Sequence, residues 1–111
     1  MEERLATEIW LMAQIRQGHA SGLPAYVLRR GEARAGSVLV KINLMGPGCR
    51  VLAQVRDAQG RLGWMSALGK APVPEAEADA YIERAVKRDP DLWVVEVESK
   101  EGRHPFEGAE I

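Results

Sequence analysis

Four carboxylates, one thiol, two imidazoles and a scatter of cations are the groups of this chain that could do chemistry. Glu96 and Glu98 are spaced two apart within Val95-Glu-Val-Glu98, so on a strand both carboxylates project from one face and could meet a substrate or a divalent ion. Such a pair serves as acid and base only where burial or a charged partner shifts its pKa values. The alternative is a solvated strand face, paired across to Lys41 or Arg29 of a neighbouring strand. Asp89 and Asp91 flank Pro90 and suit a turn. Cys49 lies between Gly48 and Arg50; a nearby cation can activate a thiol, but a free cysteine entering a strand is more simply a small apolar residue. His19 and His104 lie far apart in sequence with that single cysteine between them, which is not the ligand spacing of a zinc site. No Gly-x-Ser-x-Gly elbow, phosphate loop or dinucleotide fingerprint is present. The sequence therefore assigns no catalytic residue, no metal and no cofactor.

The cations are more suggestive. Arg29, Arg30, Arg34, Lys41, Arg50, Arg56 and Arg61 fall on the strands and turns of one expected sheet, with Tyr26 and Trp64 offering stacking surfaces. Of these, Arg29, Arg30, Arg34, Lys41 and Arg56 are the candidates for contact with an anionic partner. A nucleic-acid binder normally carries a strongly basic domain, and a pI near 6.1 makes that reading the alternative, not the leading one. Trp64, beside Gly63 in a short strand, is the candidate interface anchor, whereas Trp93 belongs in a core.

Net charge is −1, but its placement is uneven. Residues 1–74 hold ten Lys and Arg against five Asp and Glu, and residues 75–111 hold five against eleven. The two halves offset one another within a fold or pair head to tail between protomers. At 111 residues, 46% hydrophobic and 28% charged, the chain has the size and composition of one globular domain. The opening Met1-Glu-Glu-Arg4 is unlike a secretory leader, no apolar run suits a membrane span, and one cysteine fits a reducing compartment. A cytoplasmic protein with no membrane contact is expected.

Those groups must be positioned by elements that the apolar pattern reveals. Leu5, Ile9, Met12 and Ile15 predict a helix over 7–19 capped by Thr7, with Gly18 or Gly22 ending it. A strand stays open there too, because Ile9, Leu11, Ala13 and Ile15 alternate. Residues 25–30 and 37–43 read as a hairpin across Gly31–Gly36, with Val38, Val40 and Ile42 inward and Leu39, Lys41 and Asn43 outward. Strands follow over 50–56 and 62–66. Pro72 and Pro74 lead to a second helix over 75–88, acidic at its start and basic at its end. Asp89 precedes Pro90, which stops that helix, and Trp93, Val95 and Val97 launch a half-buried strand over 92–98 that could lie at a sheet edge.

With these elements in place the chain resembles a small alphaproteobacterial family known only as domain-of-unknown-function family fourteen ninety-one. The residues that carry the resemblance include Arg29-Arg-Gly31, Ala35-Gly-Ser-Val-Leu-Val-Lys41, Pro74-Glu-Ala-Glu-Ala-Asp-Ala-Tyr-Ile82 and Gly102-Arg-His-Pro105. Its most specific part is Arg88-Asp-Pro-Asp-Leu-Trp-Val-Val-Glu96. The resemblance implies a bacterial, cytoplasmic α+β domain and carries no activity across.

The expected fold is therefore α+β: an antiparallel sheet of four to five strands with both helices on one face, forming a single domain over 1–98 and a loosely held polar tail over 99–111. The expected function is a small binding or protein-interaction module, with an unidentified protein or a second copy as partner. A nucleic-acid binder and a small hydrolase-type enzyme are the alternatives.

Overall fold

The computed structural model describes residues 5–111, and the opening Met1–Arg4 lies outside them. The elements run α1 (Thr7–Ala20), β1 (Ala25–Arg29), β2 (Val38–Asn43), β3 (Cys49–Arg56), β4 (Leu62–Ser66), α2 (Glu75–Arg88), β5 (Trp93–Glu98) and β6 (Ala109–Glu110). The helical pattern over 7–19 prevails over the strand alternation. Thr7, however, is inside the helix and Ala6 precedes it as the cap. The first helical N–H groups are satisfied by the 31–36 loop instead: Thr7 N donates to Arg34 O at 3.0 Å and Glu8 N to Ala33 O at 2.9 Å. Gly22, at φ 78°, supplies the left-handed turn after the helix. In α2 the acidic Glu75 and Glu77 open the first turn and Lys87 and Arg88 close the last, as the macrodipole favours.

The sheet differs from the expected meander. Six strands lie in the order β1-β5-β2-β3-β4-β6, with β2–β5 and β4–β6 parallel and the other pairs antiparallel. The sheet is mixed. β1 and β2 do not form a hairpin: β5 inserts between them, pairing Val95 with Val27 on one side and Val40 on the other. Burial drives this arrangement, because Trp93, Val94, Val95 and Val97 are all nearly inaccessible and require cover on both faces. The edge role expected of residues 92–98 passes to β1.

The 31–36 loop consequently crosses the α2–β5 turn at close range. A Cβ on Gly31 would lie 2.1 Å from Asp91 O, and one on Gly36 2.3 Å from the same oxygen. Glycine is needed at both positions for backbone approach. Glu32 N donates to Asp91 O at 2.9 Å, and Trp93 Nε1 to Glu32 O at 2.8 Å, tying the crossing down.

The helices lie on opposite faces, not one. Val38, Val40, Ile42, Val95, Val97 and Trp93 pack with Leu11 of α1 and with Phe106. The alternate residue Leu39 joins Cys49, Val51 and Leu92 against Ala78 and Ala85 of α2. Leu39 and Lys41, expected to face solvent, are buried at 4% and 3% exposure. The tail is built in at Phe106. Phe106 is buried between the α1 face and Trp64, whose indole N–H donates to Glu107 O at 2.9 Å, and β6 adds to the free side of β4. Among the described residues no helix is long and apolar enough to cross a membrane.

Candidate functional site

Three side-chain assemblies stand out, two of them around residues that sequence reasoning had placed on an open surface. The first is centred on Lys41. β2 carries Lys41 beneath the start of α2, where its Nζ donates to Glu75 Oε2 at 2.8 Å and Asp79 Oδ1 at 2.7 Å, with Glu96 Oε1 at 3.6 Å. Glu75 and Asp79 are one helical turn apart, so both reach the same point. Asn43 Nδ2 donates to the other oxygen of Glu96 at 3.3 Å. Burial by itself would lower the Lys41 pKa, but the hydrogen bonds to Asp79 and Glu75 and the charge of Glu96 outweigh it and hold the ammonium above its ordinary range. Three carboxylates thus converge on a cation supplied by the chain itself. The neighbouring Cys49 is 1% exposed, and burial pushes its thiol pKa up, which makes it a poor nucleophile.

The second assembly joins β3, β4 and β6. Arg50 Nη2 donates to Ser66 Oγ at 2.6 Å and ion-pairs with Glu110, and Ser66 Oγ donates in turn to Glu110 Oε2 at 3.0 Å. Hydrogen bonding to Arg50 holds the Glu110 carboxyl below its ordinary pKa. Arg50 Nε is buried and has no hydrogen-bond partner among the described residues. Trp64 lies next to this cluster with His104 edge-on at 6.1 Å between ring centroids and Phe106 at 5.9 Å. Burial lowers the His104 pKa, and Phe106 N donates to its Nδ1 at 3.2 Å, both of which favour the neutral ring.

The third is a groove of about 680 Å³ between the start of α1, the β3–β4 hairpin and the tail. It is lined by Arg56, Arg61, Gln54, Gln59, Trp10 and Leu62, with Glu107 on the tail side. Trp10 Nε1 donates to Glu107 Oε1 at 2.6 Å. Arg61 is ion-paired to Asp57 at 3.0 Å, and Arg56 donates to Gly60 O at 3.1 Å, which fixes the hairpin that carries both. The volume falls in the range of ligand-binding clefts.

The five cations singled out for an anionic partner do not form one patch. Arg29 is half-buried and donates to the carbonyls of Pro90 and Leu92, both at 2.9 Å, so it braces the α2–β5 turn. Arg30 lies over the Trp93 ring at 5.3 Å and pairs with Glu8. Lys41 is enclosed. Arg34 and Arg56 are exposed, on the loop beside α1 and on the hairpin respectively. Trp64 is fully buried, so it is a core residue and not an exposed anchor; its β-period position beside Gly63 could not show that a tail would cover it. Glu96 turns toward Lys41 while Glu98 is exposed, so the two carboxylates do not act as a pair. Asp89 makes the turn expected of it, its Oδ1 accepting from Asp91 N at 3.1 Å. Sequence reasoning missed Ser66, Glu75, Asp79, Glu107 and Glu110. The helical spacing of Glu75 and Asp79 was the one available signal.

Comparison with known proteins bears on the whole chain. Residues 5–107 match the family model described as "Protein of unknown function (DUF1491)". A crystal structure of a DUF1491 family protein from Caulobacter crescentus CB15 is 38% identical, with a TM-score of 0.85 over 97% of this chain and 100% of that one. An NMR structure of a DUF1491 family protein from the same organism gives 38% identity and a TM-score of 0.83 over 99% of each chain. The solution structure of protein Atu0922 from A. tumefaciens is 28% identical, with a TM-score of 0.73 over 87% of each chain. No curated protein matches the chain. The match therefore spans both helices and strands β1 to β5, and the chain belongs to the DUF1491 family.

Proposed function

We propose that this protein is a small cytoplasmic interaction module whose binding face is the groove between α1, the β3–β4 hairpin and the tail, and that its partner is an extended protein segment bearing carboxylates. The observation that carries this reading is the composition of the 680 Å³ groove: Arg56 and Arg61 beside the apolar surfaces of Trp10 and Leu62. Guanidinium groups favour planar carboxylates through paired N–H donors, and an aromatic wall gives contact area at small entropic cost. The polar groups lining the groove are arginine, glutamine, glutamate and a threonine whose hydroxyl is engaged with Gly36 O at 2.9 Å. That set suits recognition by hydrogen bonds and charge. Cytoplasmic placement is supported by the single buried thiol, which needs no oxidising compartment.

The test is fluorescence anisotropy with two labelled probes, a decapeptide of alternating Glu and Leu and a single-stranded decanucleotide. The peptide is expected to bind, with about tenfold weaker affinity for Arg56→Gln, the loss of roughly 1.4 kcal/mol typical of one charged hydrogen-bonded contact. Peptide binding unaffected by Arg56→Gln would overturn the reading. Steeply salt-dependent binding of the nucleotide alone would replace it with nucleic-acid recognition.

A further inference from the structure

The free side of β4 is occupied by a very short piece of this same chain. Ala109 and Glu110 lie parallel to Gly63 and Trp64, and Ile111 N donates to Trp64 O at 2.8 Å. Residues 109–111 are all exposed, Ile111 at 63%, so the segment is held by a brief ladder and one side-chain clamp, not by apolar burial. Segments of that kind open locally at small free-energy cost. An opened β4 would present unpaired backbone groups, the usual template for an added strand.

The surface under the segment is built for it. A Cβ on Gly63 would lie 2.4 Å from Ile111 Cδ1 and 3.2 Å from Ala109 O, so glycine leaves the room that an adjacent strand needs. Arg50 and Ser66 meet on one carboxylate, that of Glu110. Arg50 is mostly covered, its side chain 16% exposed, and its buried Nε lacks a partner. A guanidinium so covered needs an anion opposite it.

We propose that the β4 edge is a strand-addition site for an extended partner segment of small–acidic–branched apolar pattern, which places its carboxylate on Arg50 and Ser66, and that residues 109–111 occupy this site in cis as a displaceable plug. The partner's chemistry is read from the occupant: a small residue in register with Gly63, an acid at the clamp and a branched apolar side chain lying over Gly63. The site stands on its own residues and does not require the groove to bind anything.

The test uses the full chain and a labelled peptide of residues 107–111 with acetylated and amidated ends. Glu110→Gln with Ile111→Pro removes the clamp carboxylate and the N–H given to Trp64 O, which opens the edge. The peptide is expected to bind this double variant at least tenfold more tightly than the unaltered chain. Adding Arg50→Met, or placing Gln at the peptide position that corresponds to Glu110, is expected to abolish the gain. Equal binding to both chains, or binding indifferent to Arg50, overturns the proposal. Should the double variant fail to fold, the unaltered chain is titrated with millimolar peptide while its amide resonances are followed. Shifts at Gly63, Trp64 and Ser66 support displacement of the plug, and unshifted resonances there overturn it.

Discussion

Lys41 Nζ lies 2.7 Å from Asp79 Oδ1, which fastens the middle of β2 to the first turns of α2 through a charge that is almost wholly enclosed. Removing one member of a buried ion pair commonly costs 3–5 kcal/mol because the other is left uncompensated. Here Glu75 and Asp79 are more than half exposed and can return to water, while Glu96 cannot. Lys41→Met is therefore expected to destabilise by about 2 kcal/mol, below the usual range for such pairs. Adding Glu96→Gln should restore part of that loss. Urea unfolding of the three chains measures both effects.

Acid should weaken the fold in two stages. His104 has a pKa lowered by burial from its ordinary 6.5, so the unfolded chain takes up a proton that the folded chain refuses, and stability falls as pH drops below 6.5. Glu110 has a pKa lowered by its bond to Arg50 from an ordinary 4.5, so its contribution is present above that value and is lost as pH falls through the depressed one. His104→Phe should flatten the dependence between pH 6.5 and 4.5 and leave the lower stage intact. Thermal unfolding across pH 8 to 3 reads this directly.

The crossing of the 31–36 loop over Asp91 leaves no space for a methyl group. Gly31→Ala and Gly36→Ala each set a Cβ within about 2.3 Å of a backbone oxygen that is itself held in place. Each is expected to cost about 3 kcal/mol or more, as overpacking against backbone does. A melting temperature within two or three degrees of the parent would show that the loop can lift.

β1 is the open edge, and His19 guards it. The ring nitrogen Nε2 lies 3.1 Å from Ala25 O and 3.4 Å from Ala25 N, and the register slips between Val27 and Arg29. Both features hinder addition of another strand, although Tyr26 and Leu28 are about half exposed there. His19→Ala should raise self-association above that of the parent chain. Light scattering over a dilution series gives the average mass, and unchanged behaviour would remove His19 from this role.

Local signals in the sequence proved strong where they were physically redundant. α2 was legible from both ends at once, through Pro74, the acidic first turn and the Asp89-Pro90 stop, and β4 was bounded by turn residues on its hairpin side. The insertion of β5 was not legible, because alternation of Trp93, Val95 and Val97 with Glu96 and Glu98 describes an edge as well as a centre. Only the burial of Val94 hints at the difference. The same limitation applied to Lys41: a strand position opposite Val40 reads as solvated until a helix is laid over it. Glu110 and Ser66 were invisible for a different reason. Their meeting depends on a two-residue parallel pairing that closes across more than forty residues, and such pairing leaves almost no periodic trace. Arg56 was recognised as a candidate, whereas the groove that gives it company needed three separate segments to come together.

The binding face itself can be located most directly by titrating the isotope-labelled chain with the Glu–Leu decapeptide at physiological salt and following every backbone amide. Shifts confined to Thr7, Trp10, Gln54, Arg56, Arg61, Leu62 and Gly108, and lost in Arg56→Gln, are the result predicted by a groove that recognises carboxylates. Shifts clustered instead on β1 or α2, with the groove amides unmoved, would contradict it.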